Sequence, residues 1–514
     1  MTDFAAPGAL LSALLPEITL LIGTLILLLV GAWGGESSSP TRRSARFAIG
    51  IVGVTAVAVV FAWMRGDGFT TDGRLTGDGF RWAIDLVLLL GTAGALAIFD
   101  TEQLRTRAYQ AEIPVLMLLA LSGMMIMTAS RDLMFTYIGL ELMSIAVYVL
   151  AGANRSSARS AEASIKYFLL GAFASGFLLY GIALLYGAVG DTRLSALGAA
   201  SASTMYLVGV ALLLVGFAFK VGAVPFHLWT PDVYDGAPSP ITAFMAACVK
   251  ASAFAMIVRV VAEGLGPAIA HWHPAVWWLA AITMVVGNVV ALAQPNIKRM
   301  LAYSSIAHSG YLLVAVLAYS QEAAAAVVFY LLAYTLATLG AFAVLGIVSE
   351  GRETAITIDD LSGLWHVRPG LAVTLAVCLL AFFGFPIAGG AGFFAKWYVI
   401  QAALTSHTPL TVLVVVLVLA SVVSAGYYLT AISSMFNRPR PSQLPMPVQT
   451  PLLSGIVMVA AVVSLLVLGV YPTPASRLAA AATLQAAPSM APVAGTMTVS
   501  APAAAATADA GSTP

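Results

Sequence analysis

Apolar runs of about 20 residues, separated by short polar stretches, dominate the 514-residue chain. As an α-helix, a run of that length crosses the ~30 Å hydrocarbon core of a bilayer. Such runs lie near residues 12–33, 45–64, 82–100, 112–130, 133–151, 162–188, 204–226, 239–262, 274–294, 299–319, 323–349, 371–405, 409–436 and 450–471. They are continuous, not alternating, so the pattern predicts an all-α polytopic membrane protein of about fourteen transmembrane helices and no β-barrel. The runs at 162–188, 323–349 and 371–405 exceed the minimum span, which predicts tilt, breaks or interfacial ends there. The first run has no basic region or small-residue cleavage site before it and reads as a membrane helix, not a signal peptide.

Composition agrees. The chain is 60% hydrophobic and 9% charged, against about 25% charged in soluble domains. That excludes a cytosolic enzyme and a disordered chain, and a net charge of +1 gives no footprint for nucleic acid. Cys248 and Cys378 lie inside apolar runs, so neither a disulfide framework nor a cysteine-based metal site is expected. No GxGxxG follows a strand and no P-loop is present, so no cofactor is expected in this chain. His271 and His273 lack a third ligand for a metal. Arginine sets the orientation. One set of alternate loops holds thirteen Lys and Arg residues (among them Arg42, Arg43, Arg159, Lys298 and Arg299) and the other holds six. Positive charge stays on the cytoplasmic side, so both termini are predicted on the outer side of a bacterial cell membrane.

The lysines change the picture most. Nineteen of the 24 cations are arginine, nearly all in loops, whereas Lys220, Lys250 and Lys396 fall well inside predicted spans. A charge at the bilayer centre costs roughly 2.5–3.5 kcal/mol on insertion scales and marks a functional site. A desolvated ammonium can release its proton, whereas guanidinium effectively cannot. Glu141, mid-helix among apolar neighbours, is the natural partner, since proton transfer at either group alters the other's affinity. Snorkelling or a static ion pair is the plainer reading, and three mid-span lysines weigh against it. His227, after Pro225, and His308 are candidate relays or structural histidines. Tyr303, Ser304 and Ser305 could hold water or satisfy backbone. Glu162 and Lys166 are spaced for a helical ion pair. Glu17 and Glu112 open helices and can complement their N-termini. Asp85 and Arg259 are expected near the membrane interfaces.

A weak internal repeat aligns the segment Arg131–Glu141 with Arg299–Ser309, and Phe217-Ala-Phe-Lys220 with Phe393-Phe-Ala-Lys396. Gly222 and Pro225 lie beside the first lysine; Gly384 and Pro386 lie near the second. Paired interrupted helices in two halves point to a transport site.

The stretch Phe219-Lys-Val-Gly-Ala-Val-Pro-Phe-His-Leu-Trp-Thr-Pro-Asp-Val-Tyr-Asp-Gly-Ala-Pro-Ser-Pro-Ile-Thr-Ala-Phe244 closely resembles the proton-conducting membrane subunits of respiratory complex I and their antiporter relatives. Its Val233-Tyr-Asp-Gly-Ala-Pro238 portion resembles the subunit N (chain 2) type of NADH–quinone oxidoreductase. Supporting segments are Gly139–Ser144, Ile165–Ala172 and Asn296–His308, and the resemblance covers roughly residues 10–470. It implies two inverted five-helix repeats (helices 4–8 and 9–13) and broken helices 7 and 12. The corresponding division is 1–111 for helices 1–3, 112–262 and 263–437 for the repeats, and 438–472 for a final helix. The Ala/Pro-rich tail 473–514 is expected to be disordered.

The resemblance also implies roles. Glu141 and Lys220 match the paired glutamate and lysine, Lys250 the central lysine, and Lys396 the lysine of the outward half-channel. His227 and Tyr303 match polar positions on the central axis, and Lys166 and Glu112 match further charged positions. Protons would pass from Glu141 and Lys220 to Lys250 and then Lys396. NADH, flavin, iron–sulfur clusters and quinone would be handled by partner subunits, with neighbouring antiporter-like subunits alongside. One departure is Gly384-Phe-Pro-Ile-Ala-Gly-Gly-Ala-Gly-Phe393, about two residues longer than the family pattern, which predicts an altered break in helix 12. The alternative reading is a subunit of a multi-subunit sodium/proton antiporter or membrane-bound hydrogenase complex, which shares the lysines.

Overall fold

In the computed structural model the described residues are 13–33, 40–65, 73–106, 110, 112–349, 356–386, 390–442, 444, 449–482 and 484. Among them thirteen helices are long and apolar enough to cross a membrane. In chain order these are α1 (Leu15–Trp33), α2 (Pro40–Met64), α3 (Gly79–Thr106), α4 (Glu112–Ala129), α5 (Leu133–Ala151), α6 (Ala158–Val189) and α7 (Thr204–Val221). Then follow α8 (Ser239–Gly264), α9 (Ile269–Leu292), α10 (Ile297–Ala318) and α11 (Gln321–Ser349). Next, α12 is two shorter segments, Pro369–Phe383 and Gly390–Thr405, before α13 (Thr411–Asn437) and α14 (Leu452–Val470).

Short polar caps end the spans where the hydrophobic pattern stops. Asp132 accepts backbone N–H groups of Met134 and Phe135 at the start of α5, and Asn296 does the same for Lys298 and Arg299 at α10. The two predicted breaks are present. Gly222 ends α7 in the left-handed conformation at φ 68°, and the chain resumes as a short helix, Trp229–Gly236. Gly384 ends the first segment of α12 at φ 84°. Only glycine adopts that conformation cheaply. Residues 387–389, where the family pattern and this chain diverge, lie outside the described residues.

The helices sort into a sealed interior and a lipid-facing shell. α8, α10 and α11 each have 94% of their apolar window buried, whereas α1 and α14 bury only 28% and 22%. The shell exposes Val57, Phe173, Val422 and Val459, as a bilayer-facing surface requires. Helices meet closely where side chains are absent: a Cβ on Gly181 of α6 would stand 2.9 Å from Gly209 O of α7.

Two features depart from the sequence pattern. Met245–Val249 forms a π-helical turn inside α8, immediately before Lys250, and hydropathy carries no trace of it. Thr473–Ala481, expected to belong to a disordered tail, forms a helix that buries Ala475 and Ala479. Gln321 holds the chain just beyond it through Leu484 O at 3.0 Å. Small alanines four apart supply a flat packing face that charge and apolar periodicity do not reveal. The tail from residue 485 lies outside the described residues.

Candidate functional site: a buried row of lysines

Lys220 is the penultimate residue of α7, two residues before its glycine break, and is 4% exposed. Its ammonium donates to Ser144 Oγ of α5 at 2.8 Å and lies 5.8 Å from the ring centres of Tyr148 and Tyr167. Glu141 stands three residues from Ser144, so both face the same side of α5. Glu141 hydrogen-bonds Ser175 of α6 and acts on Lys220 through space, without direct contact between the two. The expected pair is therefore adjacent but open, with Ser144 holding the ammonium.

Lys250 sits where the π turn hands back to α-helix, 5% exposed. Such turns leave backbone carbonyls displaced and recur at functional sites. Its ammonium donates to the Ser305 carbonyl of α10 at 2.5 Å and to the Ser305 hydroxyl, and lies 5.0 Å from the Tyr334 ring centre. The Ser305 hydroxyl is also 3.4 Å from the Tyr234 hydroxyl. Tyr234 packs on Trp229, Trp229 stacks on Tyr167 at 4.5 Å, and Tyr167 faces Lys220. Tyr167 of α6, with Trp229 and Tyr234 of the short helix after the α7 break, thus forms a line of rings from Lys220 toward Ser305, which Lys250 contacts.

His308 occupies the next position along α10. Its Nδ1 pairs with the Tyr330 hydroxyl at 2.6 Å, and its Nε2 is 3.5 Å from the Tyr428 hydroxyl. Both Lys250 and Lys396 act on it electrostatically. Lys396, 7% exposed in the second segment of α12, donates to Phe383 O at 2.7 Å and to Ser421 Oγ at 2.5 Å. Phe383 is the last residue before the α12 break, so this lysine ties the two halves of its own helix together. His308 and Lys396 line one small cavity with Tyr330, Tyr334, Phe382 and Gly392.

The fold does not draw every candidate into this row. His227 and Tyr303 are half-buried neighbours on the α7 break, with ring centres 6.4 Å apart. Lys166 pairs with Glu162 at 2.6 Å and with Asp232 at 2.8 Å, and Arg299 shares Asp232 at 2.6 Å. Glu112 is exposed at the start of α4. Asp85 and Arg259, expected near the interfaces, lie within two turns of the ends of α3 and α8 and are fully enclosed by protein. Arg259 holds Asp78 through both guanidinium nitrogens at 2.8 and 2.9 Å and Glu263 at 3.1 Å. Glu17 faces Arg81 at 2.5 Å, and the same guanidinium lies 3.5 Å from Asp85. Glu17 and Asp78 come from far along the chain, which no local spacing shows, whereas Asp85 and Glu263 stand four residues from their arginines.

The sequence reading also missed the row's hydrogen-bonding frame: Ser144, Ser421, Tyr234, Tyr311, Tyr330 and Tyr334. A usable signal existed in Tyr330 and Tyr334, four apart in a continuous apolar helix. Among the described residues no group of three or more His, Cys, Asp or Glu is arranged to hold a metal.

The family model for the membrane region described as NADH:quinone oxidoreductase/Mrp antiporter matches residues 130–424, which contain the whole row. NADH-quinone oxidoreductase subunit N of Gemmatimonas aurantiaca is 56% identical over 507 residues, covering 96% of this chain and 97% of that one. This chain belongs to the subunit N family of NADH-quinone oxidoreductase. Subunit N of Trichlorobacter lovleyi is 42% identical over 84% of this chain and 88% of its own. A chain of respiratory complex I from Thermus thermophilus, solved with bound aureothin, superposes with TM-score 0.78 at 34% identity. That match covers 90% of this chain and 99% of the other. A chain of the Mrp complex from Dietzia shares the fold with TM-score 0.79 at 21% identity.

Proposed function

We propose that protons cross this subunit along the row Glu141, Lys220, Lys250, His308 and Lys396. As a member of the subunit N family, the chain is a proton-translocating membrane subunit of NADH-quinone oxidoreductase, working beside other membrane subunits of the complex. The observation that carries the route is chemical. Each of the three lysines is over 90% buried, and its ammonium is held by hydroxyl and carbonyl oxygens. A carboxylate in contact would fix the charge; neutral acceptors let the amine exist with or without its proton.

Glu141 and Lys220 form the intake. Their separation by Ser144 is the open state of a pair whose closing would hold a proton on Lys220 and whose opening would release it toward Lys250. His308, with one ring nitrogen on Tyr330 and the other facing Tyr428, can donate on one side and accept on the other. It carries the proton from the Lys250 side to the Lys396 side. The Arg159, Lys166 and Arg299 end of the bundle, richer in arginine along its loops, faces the cytoplasm. Both termini then lie on the outer side. Residues 112–262 and 263–437 act as two inverted repeats, one around each broken helix. His227 and Tyr303, beside the α7 break, and Lys166 and Glu112 serve the intake side.

The test is proton uptake by proteoliposomes holding the whole complex, measured per NADH oxidised. Lys220→Ala and Glu141→Ala are expected to lower uptake sharply, and Glu141→Asp to lower it less. Wild-type uptake in both alanine variants would refute the route.

A further inference from the structure

Between His308 and Lys396 the row contains a residue that carries no charge and holds no proton in transit. The Tyr311 ring centre lies 4.9 Å from the Lys396 ammonium and 5.5 Å from the His308 ring centre. It is 1% exposed and forms one wall of the step. A tyrosine ring can turn about its Cα–Cβ bond unless its far end is anchored.

The anchor is on α9. Asn288 Nδ2 donates to the Tyr311 hydroxyl at 2.9 Å and to Met284 O at 2.8 Å. Asn288 Oδ1 accepts from the Tyr427 hydroxyl of α13 at 2.9 Å. The amide is thus satisfied at both ends, and its orientation is fixed by a backbone carbonyl on one side and a hydroxyl on the other. Asn288 is itself 1% exposed. The connection from Asn288 to the lysine runs through the Tyr311 ring, whose face lies over the ammonium.

Asn288 hydrogen-bonds neither Lys396 nor His308; it bears on both through Tyr311. A buried amide costs free energy unless every polar atom is paired. We propose that Asn288 is a positioning residue for the His308–Lys396 step, holding the Tyr311 ring between imidazole and ammonium. The ring face stabilises a cation and excludes lipid from the gap. Its tilt sets how near the two proton-bearing nitrogens can approach. This inference rests on the proposed route.

The experiment is a double-mutant cycle in the assembled complex, reconstituted in proteoliposomes. Protons pumped per NADH oxidised are read across a range of pH. Tyr311→Phe keeps the ring and its packing and removes only the anchored hydroxyl. Asn288→Leu keeps volume and removes the anchor. Each is expected to cut pumping roughly tenfold, since slight misplacement of a reacting group costs rate steeply. Both should displace the pH profile by the same amount. The double variant should be no worse than the poorer single one, and Asn288→Gln should recover part of the loss. Wild-type pumping in Tyr311→Phe at every pH overturns the proposal, and so does a double variant whose losses multiply. Lys396→Ala separates the levels. If it pumps normally, the route itself fails. If it is inactive while Tyr311→Phe is normal, only the role of Asn288 fails.

Discussion

Two buried charge clusters occupy the same bundle and are built on opposite rules. Near the amino-terminal ends of α1 and α3, Glu17 meets Arg81, and Arg259 is clasped by Asp78 and Glu263. Glu263 also accepts from Arg131 at 2.5 Å. Every cation there is an arginine with a carboxylate in contact. Along the centre every cation is a lysine held by serine hydroxyls and backbone carbonyls and faced by tyrosine rings. Burial is equal in the two places; partner chemistry differs. Guanidinium keeps its charge and binds carboxylates through two bonds, so it suits a permanent joint between distant helices. An ammonium among neutral oxygens is poised to exchange its proton. On the proposed route, the comparison separates charges that hold the fold from charges that pass a proton.

The sharpest way to break that distinction is to exchange the two cations. Lys250→Arg preserves charge yet should abolish pumping, more than tenfold, because the proton no longer leaves. Vigorous pumping in that variant would show that position 250 needs only a fixed charge. In the other cluster, Arg259→Ala takes the guanidinium away from buried Asp78 and leaves Glu263 to Arg131 alone. It should destabilise the subunit by about 3–5 kcal/mol, seen as loss of assembled complex on native gels. Ser305→Ala removes one hydroxyl and leaves the carbonyl contact with Lys250, so pumping should fall only severalfold with assembly intact. Smallest of all, Lys166→Ala breaks a pair that is partly solvated at both ends, where exposed ion pairs contribute about 0–1 kcal/mol. Its stability, followed by thermal unfolding, should be nearly unchanged, and any effect should appear as a pumping defect alone.

Much of this was legible in sequence, and for identifiable reasons. Hydropathy marks spans because lipid tolerates no unpaired backbone, so α1 to α11, α13 and α14 fall on the predicted runs. Glycine at 222 and 384 marks the breaks because only glycine adopts the left-handed turn without strain. The lysines stood out because an arginine-rich chain placed its few lysines mid-span. The frame around them did not stand out. Ser144 and Ser421 are small residues in apolar helices, and serine is common in such helices for packing alone. The full enclosure of Asp85 and Arg259 did not stand out, because Glu17, 64 residues from Arg81, and Asp78, 181 residues from Arg259, join them only in space. The π turn before Lys250 has the hydropathy of any other turn. The helix at 473–481 was hidden by an alanine composition that also suits disorder.

Sequence by itself determined the solvent, the number of crossings, the places where helices break and which amines lie in oil, because each follows from the local cost of exposing polar groups to hydrocarbon. Only the tertiary structure decided which oxygens receive those amines. It also decided that Glu141 stands apart from Lys220 and that arginines enclosed elsewhere are matched with acids. Those outcomes depend on helix rotation and approach, which sum many weak packing contacts from segments remote in the chain, and no single stretch of residues carries that sum.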